Sequence, residues 1–232
     1  MCGRFTLRTP VEKLMAAFGL EDLPELPLRY NIAPTQPVAT VLVVTGGREF
    51  RPMRWGLIPS WAKDQKIGSR LINARSETVA EKPAFRSAFR HRRCLILADG
   101  FYEWQRTDVG RLPYYIARRD GEPFAFAGLW ERWAPPTGEP VESCTILTTA
   151  ANSLIAEFHL RMPVILDPAD HDLWLDETVT DPALLQPLLK RYPPEKMVAY
   201  RVGPAVNRPA NDSPDLIRPL SGEEVSSAGP LF

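Results

Sequence analysis

The chain has 232 residues, of which 44% are hydrophobic and 24% charged, enough for one domain that buries its core without disulfides or metal ions. It contains no run of 18 apolar residues, and its N-terminal MCGRFTLRTP lacks a hydrophobic segment, which excludes a transmembrane helix and a secretory signal and predicts a cytoplasmic protein. The net charge is zero, but residues 1–93 carry 16 Lys and Arg against 8 Asp and Glu, whereas residues 94–232 carry 12 against 20, which predicts a polyanion-facing side in the first part of the chain.

The first predicted helix spans Thr9–Phe18, with Thr9 and Glu12 forming a capping box, Pro10 at its first position and Gly19 as its end. Strands are predicted at 37–44 and 48–59, joined by a turn at residues 45–47. Residues 60–80 are predicted to be irregular, and the next helix is predicted at 82–91.

Strands dominate the rest of the chain, and they are predicted at 94–105, 112–118, 123–133, 143–151, 161–167 and 197–203. Helices are predicted at 152–159 and 181–192. Runs of strands with a few helices predict a single α+β domain built on a strongly curved, barrel-like antiparallel sheet. We expect this domain to span residues 2–220 and residues 221–232 to form a flexible tail.

The three cysteines are Cys2, Cys94 and Cys144. An odd number without a C-x-x-C pair argues against a disulfide framework and against a cysteine-rich zinc site. Cys94 and Cys144 lie in apolar strand patterns, so we expect them to be buried. Cys2 differs, because removal of the initiator Met leaves an α-amine and a thiol on adjacent carbons.

An amino-terminal cysteine suits capture of an aldehyde. The α-amine has a pKa of about 7.7–8 and the thiol about 8.5, so both are partly nucleophilic near neutral pH. The amine and an aldehyde condense to an imine, and the thiol closes a five-membered thiazolidine with the benefit of intramolecular proximity. A cysteine at position 2 also arises by chance, so other segments must support this chemistry.

Three further segments carry polar groups suited to a site. In INARSET, Asn73 and Arg75 share a face if the chain is extended, and they suit a sugar and a phosphate. Glu103 lies between aromatic residues, where desolvation raises a carboxyl pKa toward the range of acid–base work. His159 lies between a predicted helix and a strand. The ordinary alternatives are an Asx turn for Asn73, an exposed strand position for Glu103 and a helix cap for His159.

Aromatic and proline residues provide candidate contacts to bases. Pro34 and Trp61 can wedge between or stack on bases, whereas Trp55 is predicted to lie in the core. The remaining histidines, His91 and His171, are predicted to lie on the surface.

Several segments, in this order, resemble the SOS response-associated peptidase (SRAP) family, with no departure at the key positions. They are MCGRF, YNIAPTQ, RWGLIPSWAKD, INARSET, CLILADGFYEW, FAFAGLWE, CTILTTAAN, HLRMPVIL and VGPAVNRPANDSPDLI. The resemblance implies a protein that crosslinks covalently to abasic sites in single-stranded DNA and shields them.

The motif matches imply roles for four residues in that reaction. Cys2 would be the crosslinking nucleophile, and Asn73 would orient the opened sugar. Glu103 would be the acid–base residue near the amine. His159 would help to open the deoxyribose ring and to form and reverse the imine.

The resemblance also implies the contacts with DNA. Arg4, Arg75 and Arg161 would bind phosphates, and Pro34 and Trp61 would shape the path of a strand kinked near a junction of single- and double-stranded DNA. No metal or organic cofactor is implied, and we expect a monomer without membrane association that joins the nucleoid when bound to DNA.

Two other functions remain open, together with a lyase side activity through the imine. The first is a cysteine peptidase or autopeptidase with Cys2 and His159 as its catalytic pair. The second is a module that binds single-stranded DNA without a covalent bond, through arginine and tryptophan side chains.

Overall fold

Two predominantly antiparallel sheets form the framework of the chain. The computed structural model describes residues 2–45, 47–108, 110–135 and 137–221. Along these residues the strands are β1 (Phe5–Leu7), β2 (Arg29–Ile32), β3 (Pro37–Val44), β4 (Gly47–Trp55), β5 (Asn73–Arg75), β6 (Arg93–Ala98), β7 (Gly100–Thr107), β8 (Gly110–Arg118), β9 (Phe124–Trp133), β10 (Val141–Ala150), β11 (Arg161–Pro163) and β12 (Met197–Arg201). The helices are α1 (Val11–Phe18), α2 (Arg86–His91), α3 (His171–Leu175) and α4 (Pro182–Leu185).

The larger sheet closes on itself. Its strands follow the order β11-β10-β4-β3-β6-β9, and β9 also pairs with β10, so β10, β4, β3, β6 and β9 form a ring. All six residues of β6 are buried, as expected for a strand covered on both faces. Closure of the ring confirms the predicted α+β class with a barrel-like sheet.

The smaller sheet has the order β12-β8-β7-β1-β2 and packs against the ring through β1. The Phe5 ring meets Trp55 and Phe126 edge-on, with centroid distances of 5.1 and 5.6 Å. Each such aromatic pair contributes about 0.5–1.5 kcal/mol beyond the burial of its area. This short strand therefore joins the two sheets, and the residue order places Cys2 at their junction.

The strand predictions at 37–44, 112–118, 123–133, 143–151 and 197–203 are confirmed within a few residues. The prediction of one strand over 94–105 is wrong, because Asp99 separates β6 in the larger sheet from β7 in the smaller one. Residues 60–80 are less irregular than predicted, since they contain β5 and two 3₁₀ turns at Gln65–Arg70 and Ser76–Thr78.

The predicted helices are shorter in the structure. The capping box is wrong, because the Thr9 hydroxyl donates to Asp99 Oδ2 at 2.9 Å and α1 begins after Pro10 without a side-chain cap. Gly19 ends α1 in the left-handed region at φ 62°, as predicted. Of the helix predicted at 82–91, only α2 is helical. The helix predicted at 152–159 is a single 3₁₀ turn at Ile155–Glu157. The helix predicted at 181–192 is limited to α4 and a 3₁₀ turn at Gln186–Leu188.

Other expectations concern burial and the ends of the chain. Trp55, Cys94 and Cys144 are buried, as predicted, and His91 is exposed. His171 is buried, so its predicted surface position is wrong. Gly46 of the predicted turn, and residues 222–232 of the predicted tail, lie outside the described residues. None of the described helices has both the length and the apolar character needed to cross a bilayer.

Candidate active site around Cys2

Cys2 lies three residues before β1, the strand that joins the two sheets. Its side chain is fully buried, and its Sγ lies 3.7 Å from the carbonyl oxygen of Arg4, to which it donates a weak hydrogen bond. The same carbonyl accepts the backbone N–H of Tyr102 at 3.0 Å. Burial, and then the nearby Glu103 carboxylate, raise the pKa of the thiol, so the sulfur is held as a thiol.

The strand that follows Cys2 is fixed by the carboxylate of Asp99. Asp99 accepts hydrogen bonds from the Thr6 hydroxyl at 2.6 Å, the Arg8 backbone N–H at 2.6 Å and the Thr9 hydroxyl at 2.9 Å. Hydrogen bonds to a charged group contribute about 1.5–3 kcal/mol each. This network holds β1, and with it the beginning of the chain.

Glu103 faces Cys2 from β7. The antiparallel register pairs Phe5 with Phe101 and Thr6 with Gly100, and continuing it by two residues brings Glu103 opposite Gly3. Glu103 is only 4% exposed, and burial raises the pKa of its carboxyl group. The exposed-strand alternative for this residue is therefore excluded.

Asn73 approaches Cys2 from β5. Its Nδ2 donates to the Cys2 carbonyl oxygen at 2.9 Å, and its buried Oδ1 has no hydrogen-bond partner within the described part of the chain. The segment is extended and pairs in parallel with β10, Asn73 opposite Ile146, and the Trp55 indole N–H fixes the preceding carbonyl of Ile72 at 2.8 Å. The amide thus has one acceptor, Oδ1, left for a ligand.

His159 follows the 3₁₀ turn at Ile155–Glu157 and is partly buried, which lowers the pKa of its imidazole. Its Nδ1 accepts the backbone N–H of Arg161 at 2.9 Å. The preceding Phe158 ring lies 4.5 Å from the ring of Tyr114, and Tyr114 is the cross-strand partner of Glu103. This aromatic contact connects the turn before His159 to β8, the strand paired with the one that carries Glu103.

Arg161 is engaged by protein groups rather than open to solvent. Its two terminal nitrogens donate to both carboxylate oxygens of Glu77 at 2.8 and 2.9 Å. Its guanidinium also bonds the carbonyl and the hydroxyl of Thr148 on β10, and the pair lowers the pKa of Glu77. A phosphate would therefore have to compete with Glu77 for this guanidinium.

The other two candidate arginines, Arg4 and Arg75, differ in the hydrogen bonds that their guanidinium groups make with the protein. Arg4 is half-buried, and its Nη1 donates to Asn31 Oδ1 and to the Val206 carbonyl, each at 2.9 Å. Arg75 is exposed at the end of β5, and its guanidinium makes no hydrogen bond or ion pair with the described residues. Among the three candidate arginines, Arg75 is thus the one whose guanidinium group is available to bind a phosphate.

Pro34 and Trp61 both lie near the end of β4. Pro34 is followed by Thr35 at φ 74°, whose N–H donates to the Trp55 carbonyl at 2.8 Å. Trp61 lies six residues beyond Trp55 and is 59% exposed. The backbone beside Pro34 is held against the end of β4, and the Trp61 side chain is exposed.

Several residues at the site were missed by sequence reasoning. Glu77 and Thr148 form hydrogen bonds with the guanidinium of Arg161. Asp99 accepts a hydrogen bond from β1. Leu160, between His159 and Arg161, is 82% exposed. Glu77 is part of INARSET, but nothing in its local pattern indicates a partner 84 residues away. Within the described ranges, no cluster of three or more His, Cys, Asp or Glu could hold a metal ion.

Comparison with known proteins adds to this geometry. A family model described as SOS response associated peptidase (SRAP) matches residues 1–209. The abasic site processing protein YoqW of Bacillus subtilis is 46% identical over 221 residues, covering 94% of this chain and 99% of the relative. The abasic site processing protein HMCES of Rattus norvegicus is 32% identical over 272 residues, covering 94% and 76%. A solved structure of a protein from Bacteroides thetaiotaomicron superposes with a TM-score of 0.83 at 27% identity, covering 95% and 100%.

Proposed function

The chain belongs to the SOS response-associated peptidase family, and from that premise we propose that it captures abasic sites in single-stranded DNA as a covalent crosslink through Cys2. Relatives at 46% and 32% identity bear the name abasic site processing protein. The observation that carries the proposal is the convergence of the Asn73 amide and the Glu103 carboxylate on the second residue of the chain.

The reaction begins with removal of Met1, which converts the Cys2 amide nitrogen into a primary amine. The amine adds to the C1′ aldehyde of the ring-opened deoxyribose, and loss of one water gives an imine. The thiol sulfur then adds to the imine carbon, its proton passes to nitrogen, and a thiazolidine forms. Aldehyde and aminothiol thus yield one thiazolidine and one water, with no change in oxidation state.

Glu103 is the proton carrier in this scheme. Its raised pKa keeps a proton available closer to neutral pH, where it protonates the carbinolamine hydroxyl that leaves as water. The resulting carboxylate then takes a proton from the amine or the thiol. Asn73 holds the Cys2 carbonyl through Nδ2 and offers Oδ1 to a sugar hydroxyl.

His159 acts on the sugar rather than on the sulfur. A lowered pKa leaves its imidazole neutral at physiological pH, and because Nδ1 accepts a hydrogen bond, the ring proton is on Nε2. As the sugar ring opens, water takes the proton of the C1′ hydroxyl and delivers a proton to the ring oxygen, to which the Nε2–H of His159 donates a hydrogen bond. Its Nδ1 is already an acceptor for the Arg161 N–H, which fixes the plane of the ring. Arg161, held by Glu77, is therefore a positioning residue first and a phosphate contact second.

The DNA would follow the surface beside these groups. Arg75 and Arg4 bind flanking phosphates, Pro34 wedges at the kink and Trp61 stacks on a base. A single strand next to a duplex junction fits this arrangement, since a kinked strand presents one unstacked sugar to the buried cysteine.

The test is a denaturing gel with a single-stranded oligonucleotide that carries one abasic site. The wild-type protein is expected to give a shifted band that survives denaturation, and Cys2→Ala to give none. Cys144→Ala, which removes another buried thiol, is the matched control and is expected to crosslink normally. A crosslink retained by Cys2→Ala, or cleavage of a peptide without any shifted band, would overturn the proposal.

The amine and the thiol can be separated in the same assay. Cys2→Ser keeps the amine but lacks the sulfur, so we expect an imine that borohydride traps, together with strand cleavage through the lyase side reaction. A chain with one glutamate inserted between Met1 and Cys2 retains its initiator and is expected to form no thiazolidine. An adduct at full rate in that chain would contradict the aminothiol mechanism.

A further inference from the structure

We propose that the site around Cys2 also captures free aldose phosphates, which are small sugars with an aldehyde at one end and a phosphate at the other. In this second activity Cys2 binds the aldehyde, Asn73 a hydroxyl and Arg75 the phosphate. The inference rests on the proposed function, because it uses the same amine and thiol. The ligand, however, is a small molecule and requires no DNA strand.

Strand β5 presents two of these groups on one face. Asn73 and Arg75 lie two residues apart on an extended segment, so their side chains share a face and are about 7 Å apart along the strand. Ala74 between them is 2% exposed and points to the opposite, core side. The aldehyde and phosphate ends of a five-carbon sugar lie a comparable distance apart when its chain is extended. Because the Asn73 amide contacts Cys2, the aldehyde end belongs at Asn73 and the phosphate at Arg75.

Both groups are available to a ligand. Asn73 Oδ1 is buried and has no hydrogen-bond partner within the described ranges, so it can accept a hydrogen bond from a sugar hydroxyl. Arg75 is exposed, and both carboxylate oxygens of the nearby Glu77 are bound to Arg161 instead. A guanidinium group binds phosphate through two parallel hydrogen bonds. The strand therefore offers one acceptor and one cation at a fixed spacing.

Burial of the reactive centre favours a small aldehyde with an anchor. Cys2 is fully buried and Glu103 is only 4% exposed, so a free sugar needs a smaller opening than a DNA strand does. A phosphate bound at Arg75 holds the aldehyde beside Cys2, and the following step then proceeds as an intramolecular reaction. A sugar without the phosphate lacks this advantage. We therefore expect the site to prefer phosphorylated sugars.

The adduct forms without any further reagent. The furanose ring of the sugar opens to its aldehyde, and the Cys2 amine, free after removal of Met1, adds to the aldehyde carbon. Loss of one water gives an imine, the sulfur adds to the imine carbon, and the thiol proton passes to nitrogen. One aldehyde and one aminothiol thus yield one thiazolidine and one water, with no change in oxidation state. The modified Cys2 has neither a primary amine nor a thiol, so it cannot capture DNA until the adduct reverses.

The first experiment is intact-mass spectrometry of the protein after incubation with 2-deoxyribose 5-phosphate. We expect a gain of one sugar phosphate less one water, located on Cys2 by peptide mapping. Cys2→Ala is expected to gain nothing, whereas Cys144→Ala, which removes another buried thiol, is expected to react as the wild type does. A gain that persists in Cys2→Ala, or that maps to lysine side chains, overturns the inference.

The role of the phosphate is tested with 2-deoxyribose as the second sugar. Each rate is divided by the rate of the same sugar with free cysteine, which corrects for the different fractions of open aldehyde. On this scale the wild type is expected to react about tenfold faster with the phosphorylated sugar, because only that sugar is anchored.

Arg75→Gln is expected to remove most of this preference, since glutamine cannot offer the phosphate a charged fork. The matched control Arg191→Gln, which removes another exposed arginine, is expected to keep it. Equal slowing of both sugars by Arg75→Gln, or an unchanged preference, overturns the assignment of the phosphate to Arg75.

The second experiment separates this inference from the proposed function. Protein incubated with 2-deoxyribose 5-phosphate is mixed with the abasic oligonucleotide and run on a denaturing gel. We expect the fraction that still crosslinks to equal the unmodified fraction found by mass. Crosslinking to DNA by a protein that gains no sugar phosphate overturns this inference alone. A sugar adduct on Cys2 in a protein that never crosslinks to DNA overturns the proposed function alone.

Discussion

Acid is expected to weaken the fold through His171, which is only 3% exposed. Its ring stacks on Phe18 with centroids 5.8 Å apart, and its Nε2 is buried without a hydrogen-bond partner in the part of the chain that the structure describes. Arg48 lies nearby and donates to the Phe18 carbonyl at 2.6 Å. Burial first, and then this guanidinium, lower the pKa of His171 to about 4, although three carboxylates oppose the shift, those of Asp167, Asp170 and Asp172.

The sign and size of the effect follow from the two pKa values. A histidine whose pKa falls on folding contributes stability that is full above the unfolded pKa of 6.5 and is lost as the pH falls toward 4. The full shift corresponds to about 3 kcal/mol, and the part lost between pH 7 and pH 4.5 to roughly 2 kcal/mol. That loss is a large fraction of the stability of an ordinary domain.

Urea unfolding of wild type and His171→Gln at pH 7 and at pH 4.5 measures this contribution. Glutamine keeps a polar side chain but cannot gain a proton, so every other titrating group cancels in the difference between the two proteins. We expect the stability advantage of the wild type to shrink by roughly 2 kcal/mol at the lower pH. Parallel losses of stability in the two proteins would refute the reasoning, whatever the effect of the substitution at pH 7.

Three further predictions concern the strands around Cys2. Gly100→Ala would place a Cβ 2.0 Å from the Tyr115 hydroxyl and is expected to cost about 3 kcal/mol in thermal or urea unfolding, because the tyrosine must leave its site. Phe158→Ala removes the ring contact with Tyr114 and is expected to slow crosslinking about tenfold with little change in DNA affinity, since the next residue is the histidine. Glu103→Gln is expected to slow crosslinking about a hundredfold and to remove the fall in rate as the pH rises through the raised pKa of the carboxyl group.

The strands of the ring could be predicted from the sequence because their pattern is local. β6 is largely apolar and β10 is rich in β-branched residues, and the central residues of both are buried, so their composition indicates strands. β1 has only three residues, and its place between β2 and β7 depends on partners 27 and 96 residues away, as the pairs of Phe5 with Ile32 and Phe101 indicate. No local periodicity carries that information.

Side-chain partners were harder to predict than backbone elements. The sequence suggested Thr9 as a helix cap, whose side-chain oxygen would accept a backbone N–H. In the structure its hydroxyl instead donates to the carboxylate of Asp99, and hydrogen bonds to a charged group are the stronger ones. For Arg161 the phosphate contact stays a prediction, and the structure adds Glu77 and Thr148 as partners that the sequence did not indicate. In both cases a carboxylate far away in the sequence is a partner that the local pattern does not reveal.

In the proposed reaction the amino terminus is the reagent, and separate elements of the fold position it. Within the described part of the chain, the position of Cys2 depends on β1, which follows it, and on Asn73 and Glu103 at its sides. The same burial that keeps the thiol protonated also raises the pKa of the carboxyl group that would carry its proton. The carboxylate beside Cys2 gives the thiol a proton acceptor within the site, whereas burial alone raises the pKa of the Cys144 thiol. The chemistry of Cys2 therefore depends on the strand beside it as much as on its place at the start of the chain.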